Sequence, residues 1–180
     1  VPALAGVMFH RTSGSYLDKT NKVRQLAVEL ARQAQLEISL EHLERAAWLA
    51  KADLVTAMVG EFAELQGVMG GIYALGDNEP EEVWMAVADQ YRPAGLEGPI
   101  PRTLTGAMLG VADRLDTLAA LLASEKPSGS KDPFALRRAA LAVVKICAEF
   151  PLPLDVLDAC HRAVVGRPGG DEAELQAFLQ

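Results

Sequence analysis

Cysteine is scarce in this 180-residue chain: Cys147 and Cys160 are the only two, too few and too irregularly placed to frame a disulfide fold or a zinc site. They read as buried thiols. Aromatic residues are also sparse while alanine and leucine dominate, a balance that favours helix over sheet. No alternating apolar and polar run predicts a strand, and no segment repeats. Uninterrupted apolar stretches of about 18 residues are missing, and the start VPALAGVMFHRTSG lacks the basic-then-apolar order of a signal peptide. Neither a membrane span nor secretion is predicted, and a cytoplasmic location is expected. The chain opens on Val1 rather than methionine, which suggests an excised or trimmed piece.

Basic residues are absent from a whole segment. Between Ala52 and Tyr91 there is no Lys or Arg, while Asp53, Glu61, Glu64, Asp77, Glu79, Glu81, Glu82 and Asp89 supply 8 of the 24 acids. This stretch reads as a solvated acidic face. With a net charge of −7 the chain is no indiscriminate nucleic-acid binder, because such binding depends on neutralising phosphates. Any phosphate-facing surface must lie elsewhere, near Lys19, Lys22, Arg24 and Lys51 or near Lys131, Arg137 and Arg138.

What is present is helical periodicity. Val23, Leu26, Ala27, Leu30, Ala31 and Ala34 recur at helix spacing and predict an amphipathic helix starting after Asp18. Ser39 caps a second predicted helix that runs through Leu43, Ala47, Leu54 and Val59 to a stop at Gly60. Residues 61–75 read as a short glycine-broken helix or turn, and Pro80 opens a helix ending near Pro93. RPAGLEGPIP is a loop. Thr103 or Thr105 opens a long helix through Met108, Val111, Leu115 and Leu122. In SGSKDPFALRRAAL, Ser128 to Leu141, a Gly/Ser turn leads to Asp132 as N-cap and Pro133 at the first helical position. PLPLDVLDACHRAVV is another helix, GRPGG a linker, and Asp171 with Glu174 a capping box for the last helix. The sum is an all-α chain, an irregular bundle of about seven or eight helices.

Chemistry-bearing patterns are few. His10, His42 and His161 stand far apart without ligand spacing and read as surface or capping residues. No Ser occupies a GxSxG setting, and no Cys pairs visibly with a His. Gly67, Gly70 and Gly71 do not make a phosphate loop, since no strand precedes them and no lysine follows. No catalytic residue is identified.

The layout of a helix carrying LAKAD (Leu49 to Asp53) and a later helix carrying GVADRLD (Gly110 to Asp116) resembles the HD phosphohydrolase superfamily. In that superfamily a His on an early helix, a His-Asp pair and a distant Asp hold a metal. The resemblance implies that the first ligand position falls at Lys19, the His-Asp pair at Ala50 and Lys51, and the last aspartate at Asp113. A lysine ammonium has no lone pair and alanine offers no donor, so no metal is expected. A carboxylate left in such a pocket needs a cation, and Lys19 or Lys51 is expected within salt-bridge reach of Asp113.

Four blocks, GSYLDKTNKV (Gly14 to Val23), LAKADLVTAMVGEFAELQGVMG (Leu49 to Gly70), ADRLDTL (Ala112 to Leu118) and SGSKDPFALRRAAL, resemble the HD-type domain of the bacterial glycyl-tRNA synthetase beta subunit. The resemblance implies a degenerate HD-like domain over residues 1–150 and a helical extension over 151–180 toward a downstream anticodon-binding domain. It further implies a non-catalytic tRNA-binding or scaffold role in an aminoacyl-tRNA synthetase that uses ATP and Mg²⁺ elsewhere, with no cofactor in this piece. The partners implied are glycine tRNA, the alpha subunit and the remaining beta-subunit domains. Lys131, Arg137, Arg138, Lys22 and Arg24 are the RNA-binding candidates, with backbone N–H groups at the helix start adding to phosphate attraction. The competing assignment for Arg137 and Arg138 is internal pairing with Asp113, Asp116 or Glu61. A residual HD-type phosphohydrolase or nucleotide-binding domain is the alternative function.

Overall fold

A computed structural model describes residues 1–95, 97–128, 130–150, 152–167 and 169–179. Leu96 of the predicted loop, Gly129 of the predicted Gly/Ser turn, Pro151 at the head of the segment PLPLDVLDACHRAVV, Pro168 of the predicted linker and the terminal Gln180 lie outside the described residues. Among the described residues the chain is all-α, with nine α-helices, three short 3₁₀ turns and one two-stranded hairpin. The hairpin, β1 (Met8–His10) against β2 (Gly14–Ser15), is too short to leave an alternating pattern in the sequence.

Helix α1 (Tyr16–Gln33) starts earlier than its apolar spacing predicts, because Ser15 and Asp18 form a reciprocal capping box. The Ser15 N–H donates to the Asp18 carboxylate at 2.8 Å, while the Ser15 hydroxyl accepts from the Asp18 N–H at 3.2 Å. Helix α2 (Leu40–Leu49) is capped by Ser39, whose Oγ accepts from the His42 N–H at 3.2 Å. The predicted continuation to Gly60 is broken into a 3₁₀ turn (Ala52–Val55) and a short α3 (Ala57–Glu61). Two anchors interrupt it. The Asp53 carboxylate is drawn inward by the N–H groups of Gly67 and Gly70, and the extended Thr56 donates its hydroxyl to the Asp53 carbonyl at 2.7 Å. Tertiary hydrogen bonds here override a helical pattern.

Helix α4 (Val68–Gly76) packs through its small residues. A Cβ added at Gly71 would lie 2.5 Å from the Ala88 Cβ, and one at Gly70 would press on Val87 and Asp53. Gly67, just before it, has φ +81 with Tyr91 stacked against its Cα side, a position closed to other residues on both counts. Helix α5 (Glu81–Asp89) follows Pro80, which takes the cap position rather than the first turn. Asp53 and Asp89 are buried, so the acidic face expected over residues 52–91 loses two of its members to the interior. Asp89 is held there by Arg102, whose Nε donates at 2.8 Å.

Helix α6 (Leu104–Leu121) is the centre of the bundle. Capped by Thr103, it is buried on every face from Thr105 to Asp116, and α1, α2, α5, α7 and α8 surround it. A helix enclosed this way is expected to be apolar all round. Its Asp113, Arg114 and Asp116 are therefore exceptions that need partners.

Helix α7 (Leu136–Glu149) begins three residues later than Asp132 and Pro133 predict. Ala135 adopts a left-handed conformation (φ 55), and the Asp132 carboxylate reaches past it to accept the N–H groups of Leu136 and Arg137 at 2.8 and 3.0 Å. The capping chemistry holds; the start does not. Helix α8 (Val156–Val164) is capped by Asp155. Before α9 (Glu172–Leu179), Asp171 accepts from the Glu174 N–H at 3.0 Å, but the Glu174 carboxylate pairs with Lys126 instead of completing a capping box. Ala159, Cys160, Ala163 and Leu175 of these two helices pack into the same core as α1 and α6. Cys160 is buried and Cys147 half-buried, both unbridged, and burial pushes both thiols up to about 11. His10 is buried rather than surface-lying, its ring nitrogens bonded to Thr12 and Glu125 and its edge on Phe134. Among the described residues no helix is long and apolar enough to cross a membrane.

Candidate functional site

One turn of α6 places Asp113 and Asp116 on the same side of the helix, facing α1, the end of α2 and the segment after α8. Lys19 Nζ lies 3.0 Å from Asp113 Oδ1 and 2.8 Å from Asp116 Oδ2, and it donates to the Asp113 carbonyl at 3.1 Å and to Thr117 Oγ1 at 2.8 Å. Lys51 Nζ donates to Asp113 Oδ2 at 3.0 Å and sits 4.2 Å above the Tyr91 ring. Arg167 enters from the other side, its Nη2 donating to Asp116 Oδ1 and its Nε to the Ala163 carbonyl. Three cations thus enclose two carboxylates, and Lys19, Lys51, Asp113 and Asp116 are all buried.

The electrostatics follow from this enclosure. Burial alone would raise the Asp113 carboxyl, but the charges of Lys19 and Lys51 and their hydrogen bonds hold it well below the usual carboxylate range. Burial, then the nearby Asp113 and Asp53 carboxylates, push the Tyr91 phenol well above its ordinary value. The Arg114 guanidinium is spent on backbone oxygens. It donates to the carbonyls of Gln90, Gly110 and Arg92 at 3.1, 3.0 and 2.9 Å, fastening the loop after α5 to α6. Burial lowers its pKa, against the opposing pull of Asp113.

A metal of the HD type would need lone-pair donors converging on Asp113. The residues present do not fit one: two ammonium groups occupy the space within 3.0 Å of the carboxylate, and Ala50 contributes only a backbone carbonyl, which accepts from Gln90 Nε2. Among the described residues no three of His, Cys, Asp and Glu are grouped as metal ligands. Either Lys19 or Lys51 is expected within reach of Asp113, and both reach it. Sequence reasoning offers Asp116 only as a partner for Arg137 or Arg138 and misses that it shares Lys19 and pairs with Arg167. The Asp113 and Asp116 spacing in GVADRLD was a usable signal, whereas Arg167 sits in what reads as a linker. It also missed that Gly67 and Gly70 do cradle an anion, the internal carboxylate of Asp53, at 2.6 and 3.1 Å.

All of residues 1–180 match the model of the glycyl-tRNA synthetase beta subunit family. The chain belongs to that family. It is similar to the "Glycine--tRNA ligase beta subunit" of Acidobacterium capsulatum, 50% identical over 98% of this chain and 26% of that protein. The proteins of the same name from Rhodospirillum centenum and Pseudomonas fluorescens are 45% and 48% identical over 92% and 89% of this chain, and 24% and 23% of their own lengths. The chain spans about a quarter of the length of these curated relatives.

Within this member of the beta-subunit family, the basic candidates do not form one patch. Lys131, Arg137 and Arg138 are exposed together in the loop before α7 and on its first turn. Lys22 lines a cleft of about 600 Å³ between α1 and α8, with Glu29, Asp158, His161, Arg162 and Arg167. Arg24, two residues on, turns instead toward α2, where it pairs with Glu44 at 3.6 Å and stacks on Trp48. The helix-start attraction expected at α7 is already used, because Asp132 takes two of its N–H groups and places a negative charge there. Asp116 is paired with Arg167.

Proposed function

We propose that this chain is a degenerate HD-type, non-catalytic domain that scaffolds and contacts glycine tRNA within the beta subunit of a glycine–tRNA ligase. The whole enzyme would attach glycine to its tRNA with ATP and Mg²⁺ at a site supplied by the alpha subunit. The observation that carries the reading is the pocket around Asp113 and Asp116, whose carboxylates are neutralised by Lys19, Lys51 and Arg167. A carboxylate engaged by two ammonium groups can neither bind a metal nor act as a base, and its worth is structural. Residues 1–150 would form the HD-like body and 151–180 an extension toward a downstream anticodon-binding domain, anchored by Cys160 and Leu175 in the shared core.

RNA contact would fall to Lys131, Arg137 and Arg138, whose side chains stand exposed at one end of α7. With two of the helix-start N–H groups committed to Asp132, the attraction is carried mainly by these side chains. Affinity of the intact enzyme for its tRNA, measured across a salt series with Arg137→Ala and Arg138→Ala, tests this. Each lost phosphate contact should weaken binding and lower the slope of log affinity against log salt by about 0.7–0.9. Unchanged affinity and slope in both variants would refute it.

A further inference from the structure

Helix α4 is packed inside out. Its buried side is made of Gly70, Gly71 and Ala74, while Val68, Ile72 and Leu75, spaced to share one face, are 50%, 53% and 52% exposed. Tyr73 is exposed beside them, and the adjoining turn, α3 and the residue that caps it expose Val55, Met58 and Phe62. A surface helix in a finished globular protein puts its large apolar residues inward. Here the glycines permit close contact with α5 on one side and leave the bulk of the apolar surface for something else. An exposed apolar group of this kind, rimmed by polar residues, marks an interaction site.

The rim identifies the occupant. Glu61 and Glu64, just before α4, and Asp77, at its C-terminal cap, are exposed, and no Lys or Arg occurs between residues 52 and 91. Arg45 reaches in from α2 but is held by Glu79 at 2.5 Å. An acidic rim repels RNA phosphates and anionic lipid headgroups. A second copy of the same face would set acid against acid. An apolar protein segment flanked by Lys or Arg satisfies both the face and its rim. About three quarters of the length of the curated relatives lies outside the region this chain matches, ample chain to supply it. We infer that the Val68, Ile72 and Leu75 face of α4 docks a basic-flanked apolar helix from the remainder of the same polypeptide.

The test uses the full-length subunit with a photo-crosslinking amino acid in place of Ile72, a position exposed enough to leave the fold intact. Adducts should map to a Lys/Arg-flanked apolar segment of the same polypeptide beyond these 180 residues, and Ile72→Lys should speed amide exchange across α4 by tenfold or more in that protein. Adducts to RNA, to lipid, to a separate polypeptide or to the same face of a second copy would overturn the inference. So would the absence of any adduct, or unchanged exchange in Ile72→Lys.

Discussion

Replacing Asp113 by Asn keeps the side chain's shape and removes its charge, which isolates what that charge does. Among the described residues Lys51 has no other carboxylate within ion-pair range, and its side chain is buried against Tyr91. Lys19 keeps Asp116 at 2.8 Å. The substitution therefore strands one buried ammonium and half-strands a second, and breaking a buried pair in this way costs about 3–5 kcal/mol. For a chain of this length each kcal/mol lowers Tm by about 2–4 °C, so a fall of roughly 6–20 °C is expected. Urea unfolding at pH 7, followed by helical circular dichroism, reads the same loss as a lower midpoint at unchanged slope. Adding Lys51→Met to Asp113→Asn removes the stranded charge and should recover part of the stability, giving a coupling of about 0.5–3 kcal/mol in the double-mutant cycle. A single-variant cost below about 1 kcal/mol, or a double variant whose loss equals the sum of the singles, would refute the reasoning.

The same carboxylate sets a pH dependence. Its folded-state pKa is held below the ordinary value, so its stabilisation is fully present above the ordinary carboxylate range and is lost as pH falls below it toward the folded value. The urea midpoint of the native sequence should drop between about pH 4 and the lowest pH at which the fold survives, and Asp113→Asn should show a smaller drop; equal drops would contradict the assignment. Gly71→Ala puts a methyl 2.5 Å from the Ala88 Cβ and should cost about 1–3 kcal/mol by overpacking α4 against α5, whereas Gly60→Ala, with nothing within 4 Å, should be neutral or slightly stabilising. Parallel thermal melts of the two variants decide the point.

Helix class and core composition could be read from apolar spacing because α1 and α6 bury the residues that their periodicity selects. The resemblance to the HD layout, rather than spacing, led to Lys19, Lys51 and Asp113 as neighbours. What spacing could not give is where a helix yields to a long-range contact. The run from Ser39 to Gly60 keeps its apolar pattern while Asp53 bonds to residues 14 and 17 positions away, and the sequence of the segment itself contains no trace of that partner. The start of α7 departs from its predicted position for a related reason: Asp132 caps from four and five residues before its targets through a left-handed Ala135, a geometry that alanine rarely signals. Arg167 could not be found from sequence because a cation in a Gly/Pro-rich stretch ordinarily faces water.

The pairing of Arg167 with Asp116 spans 51 positions, and this makes dissection of the chain asymmetric. Two lysines and two aspartates already balance one another before the segment after α8 arrives. A piece ending ahead of Arg167 therefore retains an electroneutral pocket around Asp113 and Asp116, and N-terminal parts emerging first during synthesis can settle without waiting for the last helices. A piece that begins after Lys19 inherits two buried carboxylates with Lys51 and Arg167 on separate sides and no group bridging them. Truncation from the front and truncation from the back should thus fail differently, the first by loss of the shared cation and the second mainly by loss of apolar cover.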